Sequence, residues 1–169
     1  MPQVQTFVDI PAVTDRDTAG KRIYQDVEVI REDDVDYSKP PTIDEDVMTT
    51  TPLAMKESAT SKVFKSIVDT QEDQSTGQKG DITSTVNNEF TMVVGDTVES
   101  RKLVENHVGD RFFLVHTDKY TKKKYLHGRL YFPMVLSDFT RSAKESKSIE
   151  LHFKNESFFQ PLEVIAATE

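Results

Sequence analysis

Near the C-terminal end of this chain the side chains sort by twos: Ile149, Leu151 and Phe153 are apolar, and Glu150, His152 and Lys154 between or beside them are polar. A period of two sends the two sets to opposite faces of a strand, so one face is buried and the other is wet. The same signature recurs upstream. Residues 82–94 (ITSTVNNEFTMVV) are rich in Thr and Val and predict a long strand. Residues 111–117 (RFFLVHT) predict a buried strand, and residues 124–132 (KYLHGRLYF) its antiparallel return across the charged turn 118–123. Pro133 ends that run, and residues 134–141 continue it after a bulge. Residues 22–31 alternate as well, residues 4–10 predict a short strand, and residues 158–166 a terminal strand or docking arm.

One segment reads as a capped helix. Asp96 is placed to accept from the backbone N–H of Glu99 while Glu99 reaches back, a capping-box arrangement. Val98, Leu103, Val104 and His107/Val108 fall near one face, and Gly109 stands where a helix end needs positive φ, which predicts a helix over about 97–107. Residues 54–71 are ambiguous: Val63, Phe64, Ile67 and Val68 have amphipathic-helix spacing, while the Ser and Thr content leaves an edge strand open. Residues 72–81 (EDQSTGQKGD) read as a turn-rich loop punctuated by Gly77 and Gly80. No repeat of fixed period is present. The expected fold is a single domain over residues 1–169, mainly β: an antiparallel β-sandwich or partly closed barrel, one short α-helix covering an opening or edge, and a long acidic loop.

That loop spans about 33–52. It holds Asp33, Asp34, Asp36, Tyr37, the paired Pro40 and Pro41, and Asp44, Glu45 and Asp46, with little periodicity. Loops of this length inside a compact domain are usually functional or ordered only against a partner. The net charge of the chain is −8, and residues 1–50 carry most of it, with 12 acidic against five basic residues. A net-negative surface gains no counterion-release affinity, which argues against sequence-specific nucleic-acid binding. The one cationic spot is the turn holding Lys119, Lys122, Lys123 and Lys124, flanked by Tyr120 and Tyr125. It reads as a solubilising hairpin tip, as a possible backbone-binding patch, or as the complement of the acidic 32–46 stretch in a second copy. An acidic segment at one place and a basic tip at another suit head-to-tail contacts, which close into rings or extend into filaments.

Signs of catalysis are few. The glycines match no phosphate-binding fingerprint, and no Ser has the flanking glycines of a nucleophile elbow. With no Cys there is neither a disulfide framework nor a thiolate nucleophile or metal ligand. His116 and His127 are placed to face each other across the 118–123 turn and so to share a metal, but the sequence offers this cross-strand pair no third ligand. The Asp33–Asp36 stretch lacks the glycine and terminal Glu of a calcium loop. The expectation is therefore no enzyme, no metal and no cofactor. No apolar run approaches the ~18 residues of a membrane helix, and the N-terminus lacks a signal-peptide pattern, which predicts a soluble protein made in a cytoplasm.

From residue 82 onward the order of elements resembles that of phage major tail (tail tube) proteins. The stretches that carry the resemblance are NNEFTMVVGDTVESRKLVENHVGDRFFLVH, then KYTKKKYLHGRLYFPMVLSDFTRSAKESKSIELHF, with STGQKGD before the first long strand. They cover about half of the chain, and the acidic region before Thr51 has no obvious counterpart. The resemblance implies a virion tail subunit, assembled in the host cytoplasm, whose copies form hexameric rings that stack into a tube. Its partners would be itself and other tail or neck proteins, DNA would pass through without specific binding, and the 33–52 loop would reach the next ring or subunit. Two other readings stay open: a neck, tail-terminator or head-completion ring protein of similar fold, and a non-enzymatic binding module using Phe158–Phe159 or Tyr120/Tyr125.

Overall fold

The computed structural model describes residues 23–45, 47–67, 69–80, 84–143, 147–157 and 159–165. In chain order the strands are β1 (Asp26–Arg31), β2 (Ile43–Asp44), β3 (Met48–Thr49), β4 (Lys62–Lys65), β5 (Glu72–Lys79), β6 (Ser84–Gly95), β7 (Arg111–Thr117), β8 (Lys124–His127), β9 (Met134–Ser142), β10 (Ser148–Ser157) and β11 (Leu162–Val164). One helix, α1 (Val98–His107), connects β6 to β7, and a 3-10 turn covers Glu32–Asp34. The mainly β fold with one short helix stands as the alternation predicts. The strands form one open, branched sheet rather than a closed barrel. The expected strand at 4–10 lies outside the described residues.

β7 is the branch point. Its residues 112–115 pair with β1, which in turn pairs with β4. Its other edge is shared: residues 114–117 pair with β8, and Arg111 and Phe112 pair with β9. One arm runs β8–β11–β3–β2 and the other β9–β10–β6–β5. Alternation along β7 then explains two cores. Phe112 and Leu114 join Val27, Val29, Phe90, Met92, Leu136, Leu151 and Phe153 in the larger one, where β6, β9 and β10 fold over β1 and β7. Phe113 on the opposite face joins Ile30, Val35, Leu126 and Leu162 in a smaller one. Each such side chain contributes roughly 1.5–3 kcal/mol on burial.

Helix α1 forms where the sequence predicts, with a different cap. The N-cap is Thr97, whose Oγ1 accepts from the Ser100 backbone N–H at 3.2 Å while Ser100 Oγ accepts from the Thr97 N–H at 3.3 Å. Asp96 is instead drawn to Arg141, and Glu99 is exposed. Gly109 takes φ +92°, as a residue just past a helix end should.

Two other expectations are corrected and one ambiguity is resolved. The described residues of 54–71 hold no helix, and Val63 and Phe64 lie in β4, the edge-strand alternative; Val68 lies outside the described residues. Residues 72–79 are strand β5 rather than loop, paired with β6 over its full length. The return strand after the 118–123 turn stops at His127, because Gly128 at φ +93° starts a turn closed by a mutual Arg129–Phe132 bridge. The acidic segment is also part of the domain. Val35 is buried, bridges to Met55, and fills the smaller core; β3 adds parallel to β11 and places Thr49 in the interior. Among the described residues no helix is long and apolar enough to cross a membrane.

Candidate functional site

The two histidines singled out by the sequence do come together. β7 and β8 pair so that His116 lies opposite Tyr125 and His127 opposite Leu114, a diagonal arrangement on the face of the larger core. His116 Nδ1 lies 2.5 Å from His127 Nε2, and both rings are buried. Phe90 of β6 packs on both, at ring-centroid distances of 5.6 and 4.9 Å, and Tyr125 stacks on His116 at 5.2 Å. Aromatic packing of this kind holds the imidazole planes in place.

Asp73 is the residue that sequence reasoning missed. Cross-strand partners share a face, and Asp73 of β5 pairs with Phe90 of β6, so its carboxylate is directed toward the histidines. Asp73 Oδ1 lies 3.9 Å from His127 Nδ1, and one donor atom each from Asp73, His116 and His127 lies within 4.8 Å of the other two. No signal in EDQSTGQK could have revealed it, because that strand contains no apolar residue and is held by pairing alone.

The electrostatics of the cluster follow from burial. Desolvation lowers His116 to about 4, against a smaller opposing effect of Asp118, and lowers His127 well below its ordinary value, helped by His116. Both imidazoles are thus neutral near pH 7. Desolvation raises Asp73 to about 6. His127 Nδ1 is buried without a hydrogen-bond partner, a costly state for a polar atom.

The expected interface segment folds onto its own chain. The Tyr37 hydroxyl donates to Glu32 at 2.9 Å, its ring packs against Tyr131 at 5.2 Å, and Arg111 Nη1 reaches Glu32 at 3.4 Å. Asp33 is exposed beside Arg31, the Asp34 carbonyl accepts from the Lys56 N–H, and Asp36 accepts from the Ser38 backbone and hydroxyl. Pro40 is exposed and Pro41 half-buried; Asp44 and Glu45 are exposed at the β2 edge, and Asp46 lies outside the described residues. Of the basic tip, Lys119 pairs with Asp69 at 3.0 Å and Lys123 with Glu163 at 3.3 Å, while Lys122 and Lys124 are exposed. The intramolecular pairs reduce the charge left for a second copy's acidic segment.

The aromatic platforms considered for ligand binding are also engaged. Tyr125 stacks inward on His116, and the Arg129 guanidinium lies 4.3 Å from the centre of the Phe159 ring; Phe158 lies outside the described residues. A separate groove of about 610 Å³ runs beneath α1, lined by Phe64, Val94, Leu103 and His107 among others. Comparison with known proteins finds neither a matching family model nor a matching curated protein.

Proposed function

We propose that this chain is a non-catalytic structural subunit that assembles with copies of itself, in the manner of a phage tail-tube protein. Rings, hexameric on the tail-tube analogy, would stack into a virion tube through which DNA passes unbound. The observation that carries the reading is the free edge of β5. Among the described residues the only strand paired with β5 is β6, and all eight residues of β5 are exposed. The other ends of the sheet are poorer templates: β2 has two residues, and β4 is bracketed by Lys62 and Lys65. Charged side chains and short length are the ordinary protections of an edge; on β5 the charges lie at the ends (Glu72, Asp73 and Lys79), and Gln74–Gln78 between them carries neither charge nor proline. Such an uncharged stretch of edge is stabilised when a neighbouring subunit adds a strand. The excess of acid over base on the chain suits a wall that repels phosphate.

The test is negative-stain electron microscopy with native mass, on wild type and on Gln74→Lys/Thr76→Lys. Tubes or stacked rings in the wild type, lost in the variant, support the proposal. Single closed rings that never stack would assign the chain to a neck or terminator role instead. A monomer at every concentration overturns both and directs attention to the groove beneath α1 as a ligand site.

A further inference from the structure

We infer that Asp73, His116 and His127 bind one first-row divalent transition-metal ion, of which Zn²⁺ is the reference case. The inference is independent of self-assembly. Two imidazoles and one carboxylate are the donor set that favours zinc, cobalt or nickel over magnesium or calcium, which prefer oxygen alone. The three donors come from β5 at the end of one arm, β8 at the start of the other, and β7 at the branch point. The ion would thus tie β5 to β7 and β8, with which, among the described residues, β5 shares no ladder.

Three observations converge. The donors are already gathered, and the rings are held by Phe90 and Tyr125, the kind of packing that fixes ligand orientation around a metal. His127 is almost completely buried, and its Nδ1 is directed at Asp73 without forming a hydrogen bond. Asp73 is the solvent-facing member, which provides an entry path and room for water as a fourth ligand. The fit requires a small adjustment. Two donor atoms each ~2.1 Å from a tetrahedral ion stand roughly 3.3 Å apart. His127 would use Nδ1, its unpartnered nitrogen, which lies 3.9 Å from Asp73 Oδ1 and so must close by roughly half an ångström. His127 Nε2 stays outside the ion's coordination, and its hydrogen bond with His116 Nδ1 must open for His116 to bind.

The main competitor is a surface cluster in which His152 lies 3.1 Å from Glu150, 3.8 Å from Asp138 and 3.9 Å from Glu89. Its carboxylates are largely exposed, and its removal provides the control.

The experiment uses the full chain stripped with EDTA and dialysed. Co²⁺ is titrated while visible d–d absorption is followed, Zn²⁺ is then added as competitor, and bound metal is counted by elemental analysis. Wild type should bind one ion per chain, and excess Zn²⁺ (a hundredfold over Kd) should raise Tm by roughly 5–10 °C. Asp73→Asn preserves side-chain volume on a solvent-facing strand; with unchanged far-UV circular dichroism it should bind at least tenfold more weakly. His152→Ala should bind as wild type. Folded wild type with neither d–d absorption nor a Tm shift overturns the inference. So does Asp73→Asn binding less than tenfold more weakly, or loss of binding in His152→Ala, since the ion would then sit elsewhere.

Discussion

Asp96 and Arg141 join the start of helix α1 to strand β9: Arg141 Nε donates to Asp96 Oδ2 at 2.8 Å, with the Asp96 side chain only 3% exposed. Arg101 Nε approaches the other carboxylate oxygen at 3.4 Å. A buried carboxylate held by two arginines is a tertiary tether rather than a local cap. Asp96→Ala is expected to cost about 2 kcal/mol, the scale of a charge-assisted hydrogen bond, in urea denaturation. Glu99→Ala should stay within about 0.5 kcal/mol, because the exposed Glu99 holds no capping contact.

The cap itself belongs to Thr97 and Ser100. Replacing Thr97 by Ala removes an acceptor for an otherwise orphaned helix N–H and should cost about 1 kcal/mol. Far-UV circular dichroism during thermal melting checks this. A loss as large as that of Asp96→Ala would mean that the two devices are not separable.

Val35 makes the acidic segment part of the core, at 1% exposure among Ile30, Phe113 and Leu126. Val35→Ala should destabilise the monomer by about 2 kcal/mol through lost burial and the cavity left behind. Asp44→Asn, at an exposed position, should change stability by less than about 0.5 kcal/mol. Chemical denaturation of the two variants compares the segment's packing with its charge.

Gly128 allows the turn after β8. A Cβ there would sit 3.0 Å from Phe113 Cδ1 and 3.3 Å from backbone atoms of Pro133 and Met134, at φ +93°. Strain and crowding together should make Gly128→Ala cost about 2 kcal/mol or more. Gly77 has nothing within 4 Å of its would-be Cβ, so Gly77→Ala should be neutral or stabilise by up to about 1 kcal/mol. Paired Tm measurements distinguish these outcomes.

Burial, and then the hydrogen bond to Glu32, raise Tyr37 to about 12. A raised acid favours the folded chain below the unfolded value of about 10, and that contribution is lost as pH climbs toward 12. Spectrophotometric titration of tyrosinate should show a step near pH 12 that Tyr37→Phe removes. Glu32→Gln should move the step toward lower pH without restoring the ordinary value, since desolvation is the larger cause.

The parts of this fold legible in the sequence are those in which one strand's own side chains declare a face. Phe112 and Leu114, or Ile149, Leu151 and Phe153, alternate because each must reach the same core, and those strands stand as expected. β5 has no such signature; Glu72–Lys79 becomes a strand only because β6 offers a complete ladder beside it. The candidate site divides along the same line. A short turn fixes the register of β7 against β8, so the His116–His127 pair can be anticipated from spacing. Asp73 reaches them through a fold-level contact between two arms of the sheet, which local spacing does not encode. The cap lies one residue beyond Asp96, at Thr97, because Asp96 has a stronger partner far along the chain, at Arg141.

The branching at β7 also sets a timetable for synthesis. Arg31 pairs with Phe112, so β1 must wait for about eighty further residues before its main partner exists. At ~5–20 residues per second the delay is roughly 4–16 s. During that interval the four-residue β4 is, among the described residues, the one strand β1 can pair with. The nascent chain therefore presents a sticky half-made sheet to the cell for seconds, and the pace of the ribosome through residues 32–111 becomes a determinant of how much protein escapes aggregation.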